Sequence, residues 1–141
     1  MQHFYAGLVA CAALAACTTA QPPVPAVAAL ATAPKMAPIN DAEPQVTQQV
    51  SAFLGRVGQG LFTTEQLTDN LREALTTAQM QAMSRTLAPC RTAPALELLR
   101  RTTKGEDRQY VYRVPCGGNA LLVEIDFNKG AKINKLLVRP E

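Results

Sequence analysis

Val46, Val50, Phe53, Leu54, Val57 and Leu61 recur at i, i+4, i+7, i+8, i+11 and i+15, which makes one apolar stripe of an amphipathic helix. Pro44 suits the first turn of that helix, and Gly58 and Gly60 suit its end. Thr63 with Gln66 reads as a capping box opening a second helix, whose apolar positions are Leu67, Leu71, Ala74 and Leu75. Thr76 with Gln79 repeats the signature for a third helix carrying Met80, Met83 and Leu87, and Pro89 stops it.

The period then changes from helical to strand-like. Residues 95–104 and 108–115 flank Gly105-Glu106-Asp107, a turn. Tyr110, Tyr112 and Val114 alternate with Val111 and Arg113. Gly117-Gly118-Asn119 makes the next reversal. Leu121, Val123, Ile125 and Phe127 alternate with Leu122, Glu124 and Asp126, the clearest period-two strand in the chain. Asn128-Lys129-Gly130 turns into a last strand, 132–139. Helices first and a four-stranded meander after them predict an α+β domain over 44–141, with about three helices covering one face of an antiparallel sheet. Its length of about 98 residues suffices for one compact core, not two.

The first 43 residues have a different character. Phe4 to Ala16 is almost entirely apolar or small, too short for the ~20 apolar residues that span a bilayer, and it reads as the core of a signal peptide. The run closes on Leu14-Ala15-Ala16-Cys17, which resembles a lipobox, the cleavage and acylation signal of bacterial lipoproteins. The resemblance implies a signal peptide over 1–16 and a lipidated Cys17. A diacylglyceryl group and an amide-linked chain such as palmitate would together give stable membrane attachment. Thr18, where aspartate would signal inner-membrane retention, points to the outer membrane and a domain facing the periplasm. The alternative is a plain secretory peptide cut near Ala20, which leaves the chain unanchored. Residues 17–43 are expected to form a tether, because Pro22, Pro23, Pro25, Pro34 and Pro38 interrupt Ala, Thr and Val without any helical or strand period.

Export reorganises the cysteines. Cys11 would leave with the signal peptide, and Cys17 would carry lipid. Cys90 and Cys116 remain as an even pair in an oxidising compartment, which reads as a disulfide.

Candidate chemistry is sparse. The chain has one histidine, His3, inside the expected signal peptide. Without it there is no Ser-His or Cys-His nucleophile pair and no ordinary zinc site, so neither a metal nor a cofactor is expected. Ser84-Arg85-Thr86-Leu87 lacks the lysine of an S-x-x-K site. The glycines of Gly55-Arg56-Val57-Gly58-Gln59-Gly60 lack a following Lys-Ser/Thr and a preceding strand, and read as a helix ending. Glu124 and Asp126 share a strand face, expected to be solvated and paired with Arg113 and Lys135. Tyr110 and Tyr112 fall on one face, as pocket lining or as core-rim residues; with Arg113 they form the candidate pocket or partner surface. The net charge of +3 is too small for a nucleic-acid footprint.

Gly60-Leu61-Phe62 between the first two helices, Leu75-Thr76-Thr77-Ala78-Gln79-Met80 at the third, and a meander closing on Gly130-Ala131-Lys132-Ile133-Asn134-Lys135-Leu136 together resemble a small nuclear-transport-factor-2-like (cystatin-like) domain of unknown function. The likeness covers residues 46 to 139. It implies a cone-shaped helix–sheet fold with an apolar pocket and no catalytic residues to carry over. Ala131 is an insertion relative to the Gly-Lys-Ile run at which such domains end. The expectation is a non-enzymatic envelope lipoprotein with a protein-binding domain, such as an accessory subunit of an envelope or secretion complex. The alternatives are an immunity-type toxin inhibitor, and a small-molecule binder or enzyme using the cone.

Overall fold

A computed structural model describes residues 35–90 and 94–141. The expected signal peptide, Cys17 and most of the expected tether lie outside the described residues. Among the described residues, no helix is long and apolar enough to cross a membrane.

Helix α1 spans Pro44–Gly58 and buries Val46, Val50, Phe53, Leu54 and Val57. Leu61, the last residue of the predicted stripe, is instead 59% exposed. The helix has already ended at Gly58, and Gly60 turns the chain away at φ 79°. A β-carbon on Gly58 would stand 2.9 Å from the Leu87 carbonyl oxygen, so glycine lets the ends of α1 and the third helix meet.

The second helix begins later than its apparent capping box. Thr64–Gln66 is a single 3-10 turn, and Thr63 makes no side-chain cap. Helix α2 spans Asp69–Ala74, with the Thr68 hydroxyl accepting from the Leu71 N–H. The delay has a tertiary cause. Thr68 donates its own N–H to the Ile133 carbonyl at 2.8 Å, and Leu67 is fully buried beside that contact. Helix α3 spans Thr77–Leu87 and starts as predicted: Thr76 and Gln79 form both halves of a capping box. It packs chiefly on α1.

Four antiparallel strands follow in the order β1-β2-β3-β4: Glu97–Lys104, Asp107–Cys116, Asn119–Phe127 and Ile133–Pro140. The Gly117-Gly118 reversal has both residues at positive φ, the conformation of a tight two-residue hairpin. The three helices pack with this sheet as an α+β fold. Leu98, Tyr110, Tyr112, Val114, Leu121, Val123, Ile125, Phe127, Ile133 and Leu136 join the α1 residues in one core. A bulge between Leu98 and Arg100 turns Leu98 toward that core, while Leu99 clusters with Val111 and Leu122 on the other face.

The folded unit includes residues 35–43, earlier than the expected start at 44. Residues 35–43 are therefore not spacer. Ile39 donates its N–H to the Leu98 carbonyl at 2.8 Å, alongside β1. Lys35 pairs with Glu141 at 3.0 Å, and Glu43 reaches the sheet directly. Proline and alanine in this stretch hid an arm held by its polar groups.

Cys90 and Cys116 stand at disulfide-bonding distance, with their Cα atoms 4.3 Å apart. The bridge fastens the end of α3 to the end of β2. For a loop of this length the chain-entropy model gives roughly 3.5 kcal/mol of stabilisation.

Candidate functional site

Strand alternation decides the fate of the three residues singled out in β2. Tyr110 and Tyr112 point into the helix–sheet interior, and Arg113 points to the other face. The tyrosines lie nearly parallel, with ring centroids 6.0 Å apart and planes 10° apart. Phe127 meets Tyr110 edge-on at 5.9 Å. Tyr110 and Tyr112 are 1% and 0% exposed, so they form neither a partner surface nor an open pocket wall.

Their hydroxyls are satisfied by the start of α1. Tyr110 donates to Glu43 Oε2 at 2.7 Å, and the Tyr112 hydroxyl shares a 3.1 Å hydrogen bond with Thr47 Oγ1. Burial pushes the Tyr112 phenol up to about 12, against the opposing effect of the Thr47 bond. Burial and the bond to Glu43 also raise Tyr110. The Tyr110 bond, together with Arg101 at 2.6 Å and Arg108 at 3.6 Å, holds the Glu43 carboxyl below its usual range despite some desolvation.

Arg113 is also used internally. Its Nε donates to both Glu141 carboxylate oxygens, at 2.8 and 2.9 Å, and Nη2 donates to Glu141 Oε1 at 2.6 Å. Nη1 donates to Glu97 Oε2 at 2.9 Å, and Nη2 also donates to the Met36 carbonyl at 2.7 Å. A guanidinium offers five N–H donors in a fixed fork, and here each nitrogen already has a partner. Arg113 is thus a clamp joining the arm, β1 and the chain end, rather than a partner-binding side chain. Its hydrogen bonds, with those of Lys35, lower the Glu141 carboxyl to about 2.

The expected pairing of Glu124 is met in part. Lys135 lies 3.2 Å away, but the second cation is Arg139 at 3.4 Å, since Arg113 is committed elsewhere. Asp126 accepts from Gln109 at 2.9 Å. Residues that strand alternation placed on one face therefore answer to different partners.

Several concavities open on the surface of the described residues. A cleft of about 690 Å³ runs from Lys35 and Arg113 past Pro89 to the Gly117-Gly118 turn, but its cations already face Glu141. A hollow of about 320 Å³ opens between α1 and the sheet, lined by Val50, Phe53, Ile125, Phe127 and Ile133 with Gln49 and Gln66. Its lining contains no ionisable side chain. A groove of about 270 Å³ lies between α3 and β4, lined by Leu75, Ala82, Met83, Leu136, Leu137 and Val138, among others. Sequence reasoning placed these residues in the correct elements but not along a common groove, because how α3 lies against β4 depends on helix–sheet packing that no local pattern encodes.

No protein-family model, curated protein or solved structure matches this chain.

Proposed function

We propose that this chain is a lipid-anchored protein of the bacterial envelope whose folded domain binds another protein and carries out no chemistry of its own. The observation that carries this reading is the filled interior. Tyr110 and Tyr112 lie stacked and fully buried in the helix–sheet interior, and their hydroxyls are taken up by Thr47 and Glu43. A domain with such an interior works through its surface.

The anchor reading comes from Leu14-Ala15-Ala16-Cys17. The Cys90–Cys116 pair supports it, because such bridges persist in oxidising compartments. Helices followed by an antiparallel meander are also what a nuclear-transport-factor-2-like, cone-shaped domain would require. Within this reading an accessory subunit of an envelope or secretion complex is favoured over a toxin inhibitor, since a lipid anchor suits permanent residence in an assembly.

The test is Cys17→Ser with photocrosslinking in cells. The variant should move from the membrane to the periplasmic fraction, and the native chain should crosslink to one envelope protein. Unchanged fractionation would remove the anchor, and a surface that crosslinks to nothing would remove the partner.

The apolar hollow beside Phe53 and Phe127 favours a second reading, a small-molecule binder. That reading predicts a ligand co-purifying with the chain, lost when Ile125 is replaced by Phe to fill the space.

A further inference from the structure

The most informative unassigned surface is the outer edge of β4. The Glu141 N–H donates to the Ala120 carbonyl at 3.0 Å, which makes those two residues a hydrogen-bonded pair of the β3–β4 ladder. In an antiparallel ladder such pairs alternate with non-bonded ones. The register Leu122↔Arg139 and Glu124↔Leu137 therefore continues the bonded set. Leu136 and Val138, which fall between, turn their N–H and C=O groups away from β3. Among the described residues no backbone group takes them up.

Both ends of this edge are closed. At Ile133 the carbonyl accepts from Thr68, and Leu67 forms a parallel bridge there. Pro140 has no N–H to offer a neighbour. The open part is short and lies beside the apolar groove formed with α3. At the opposite edge of the sheet, β1 carries Arg100, Arg101, Thr102, Thr103 and Lys104, all exposed, a composition that blunts pairing. β4 presents Leu137 at 42% exposure instead.

We propose that an extended segment of a partner protein adds to the sheet along β4, pairing its backbone with Leu136 and Val138. This rests on the protein-binding reading above and names the surface and the partner's chemistry. Partner residues opposite Leu136 and Val138 face the groove toward Leu75, Ala82 and Met83, and must be apolar. The residue opposite Leu137 meets an exposed leucine and is apolar as well. Residues opposite Lys135 and Arg139 meet two cations that divide the single carboxylate of Glu124, and are acidic. The partner segment runs antiparallel to β4, so that its residues opposite Leu136 and Val138 exchange both backbone bonds with them, and its pattern is acidic, three apolar, acidic. Self-pairing centred on Leu137 would set Lys135 against Arg139 twice, and like charges directly opposite each other destabilise. A second copy of this chain is therefore the poorer occupant.

The test uses the full-length chain, isotope-labelled, and the peptide acetyl-STEVLVETS-amide. Binding should slow hydrogen exchange at the Leu136 and Val138 amides at least tenfold. Methylating both valine nitrogens of the peptide, which removes its donors and leaves the protein untouched, should weaken binding at least tenfold. Ala82→Lys, at an exposed position on α3, should do the same by blocking the groove. Absence of binding, or equal binding by the methylated peptide, overturns the proposal. So does dimerisation through β4 without peptide. In-cell crosslinks to one envelope protein from the β1 side but not from Leu137 would also overturn it, while leaving the protein-binding reading intact.

Discussion

The Tyr110 hydroxyl donates a 2.7 Å hydrogen bond to the Glu43 carboxylate across 67 residues of sequence. This bond ties the residue preceding α1 to the middle of the sheet. Hydrogen bonds to charged groups contribute about 1.5–3 kcal/mol. Glu43 also has Arg101 at 2.6 Å, so it is not left unpaired when the phenol is removed. Tyr110→Phe should therefore cost about 1–2 kcal/mol, toward the low end of that range. Glu43→Ala should cost more, because it removes the carboxylate shared by the Tyr110 hydroxyl, Arg101 and Arg108. Urea unfolding of both variants checks the order; an unchanged midpoint for Glu43→Ala would contradict it.

Acid should loosen the domain over a defined window. Glu43, Glu124 and Glu141 are all held below the ordinary carboxylate range by cations or hydrogen bonds. The unfolded chain, with carboxyls near ~4.3, then binds protons first as pH falls. Stability is complete above about pH 5. It declines as pH falls toward about 2, where the Glu141 carboxyl of the folded chain titrates. Glu141→Gln should flatten that decline. Thermal unfolding at stepped pH reads it, and equal slopes for both proteins would go against the Arg113 clamp.

Alkali should act through Tyr112. Its folded phenol titrates near about 12, above the ordinary value of 10.0. A raised folded pKa supplies stability that is whole below the unfolded pKa and is lost as pH rises through the folded one. Unfolding should therefore become easier between about pH 10 and 12. Tyr112→Phe loses the bond to Thr47 but also loses this slope. Ultraviolet titration of the phenolates, compared in native and urea-unfolded chain, is the direct check.

Ala131 sits at φ 56°, the left-handed region that side chains other than glycine adopt at a cost of roughly 1–2 kcal/mol. Its N–H donates to the Asn128 carbonyl, and Asn128 Oδ1 accepts from Lys132, so the turn holds the strained residue in place. Ala131→Gly should stabilise the domain by about 0.5–1 kcal/mol after the extra freedom of glycine in the unfolded chain is counted. A lower melting temperature would show that the Ala131 methyl makes a contact worth more than the strain.

Local signals in the sequence located most elements. Thr76 and Gln79 are three residues apart and need only each other, so the start of α3 was legible. Alternation from Leu121 to Phe127 likewise identified β3. The misread features depend on distant partners. Thr68 replaces Thr63 as the helix cap because Ile133 fixes the chain there. Arg113 looked like a surface cation because Glu97, Glu141 and Met36 converge on it from three separate segments. The tyrosines showed their shared face, but nothing local showed that Thr47 and Glu43 would receive their hydroxyls. The arm at residues 35–43 was hidden in a proline-rich composition, and its hold depends on single polar contacts. The groove between α3 and β4 was not visible, because it forms only where the two elements pack.

The central claim is that a lipid-anchored chain presents a filled domain to a protein partner. Native mass spectrometry of the chain extracted gently from membranes tests both halves together. The account predicts a triacylated Cys17 and a complex whose added mass is that of another polypeptide. An unmodified chain carrying only a small molecule would contradict it.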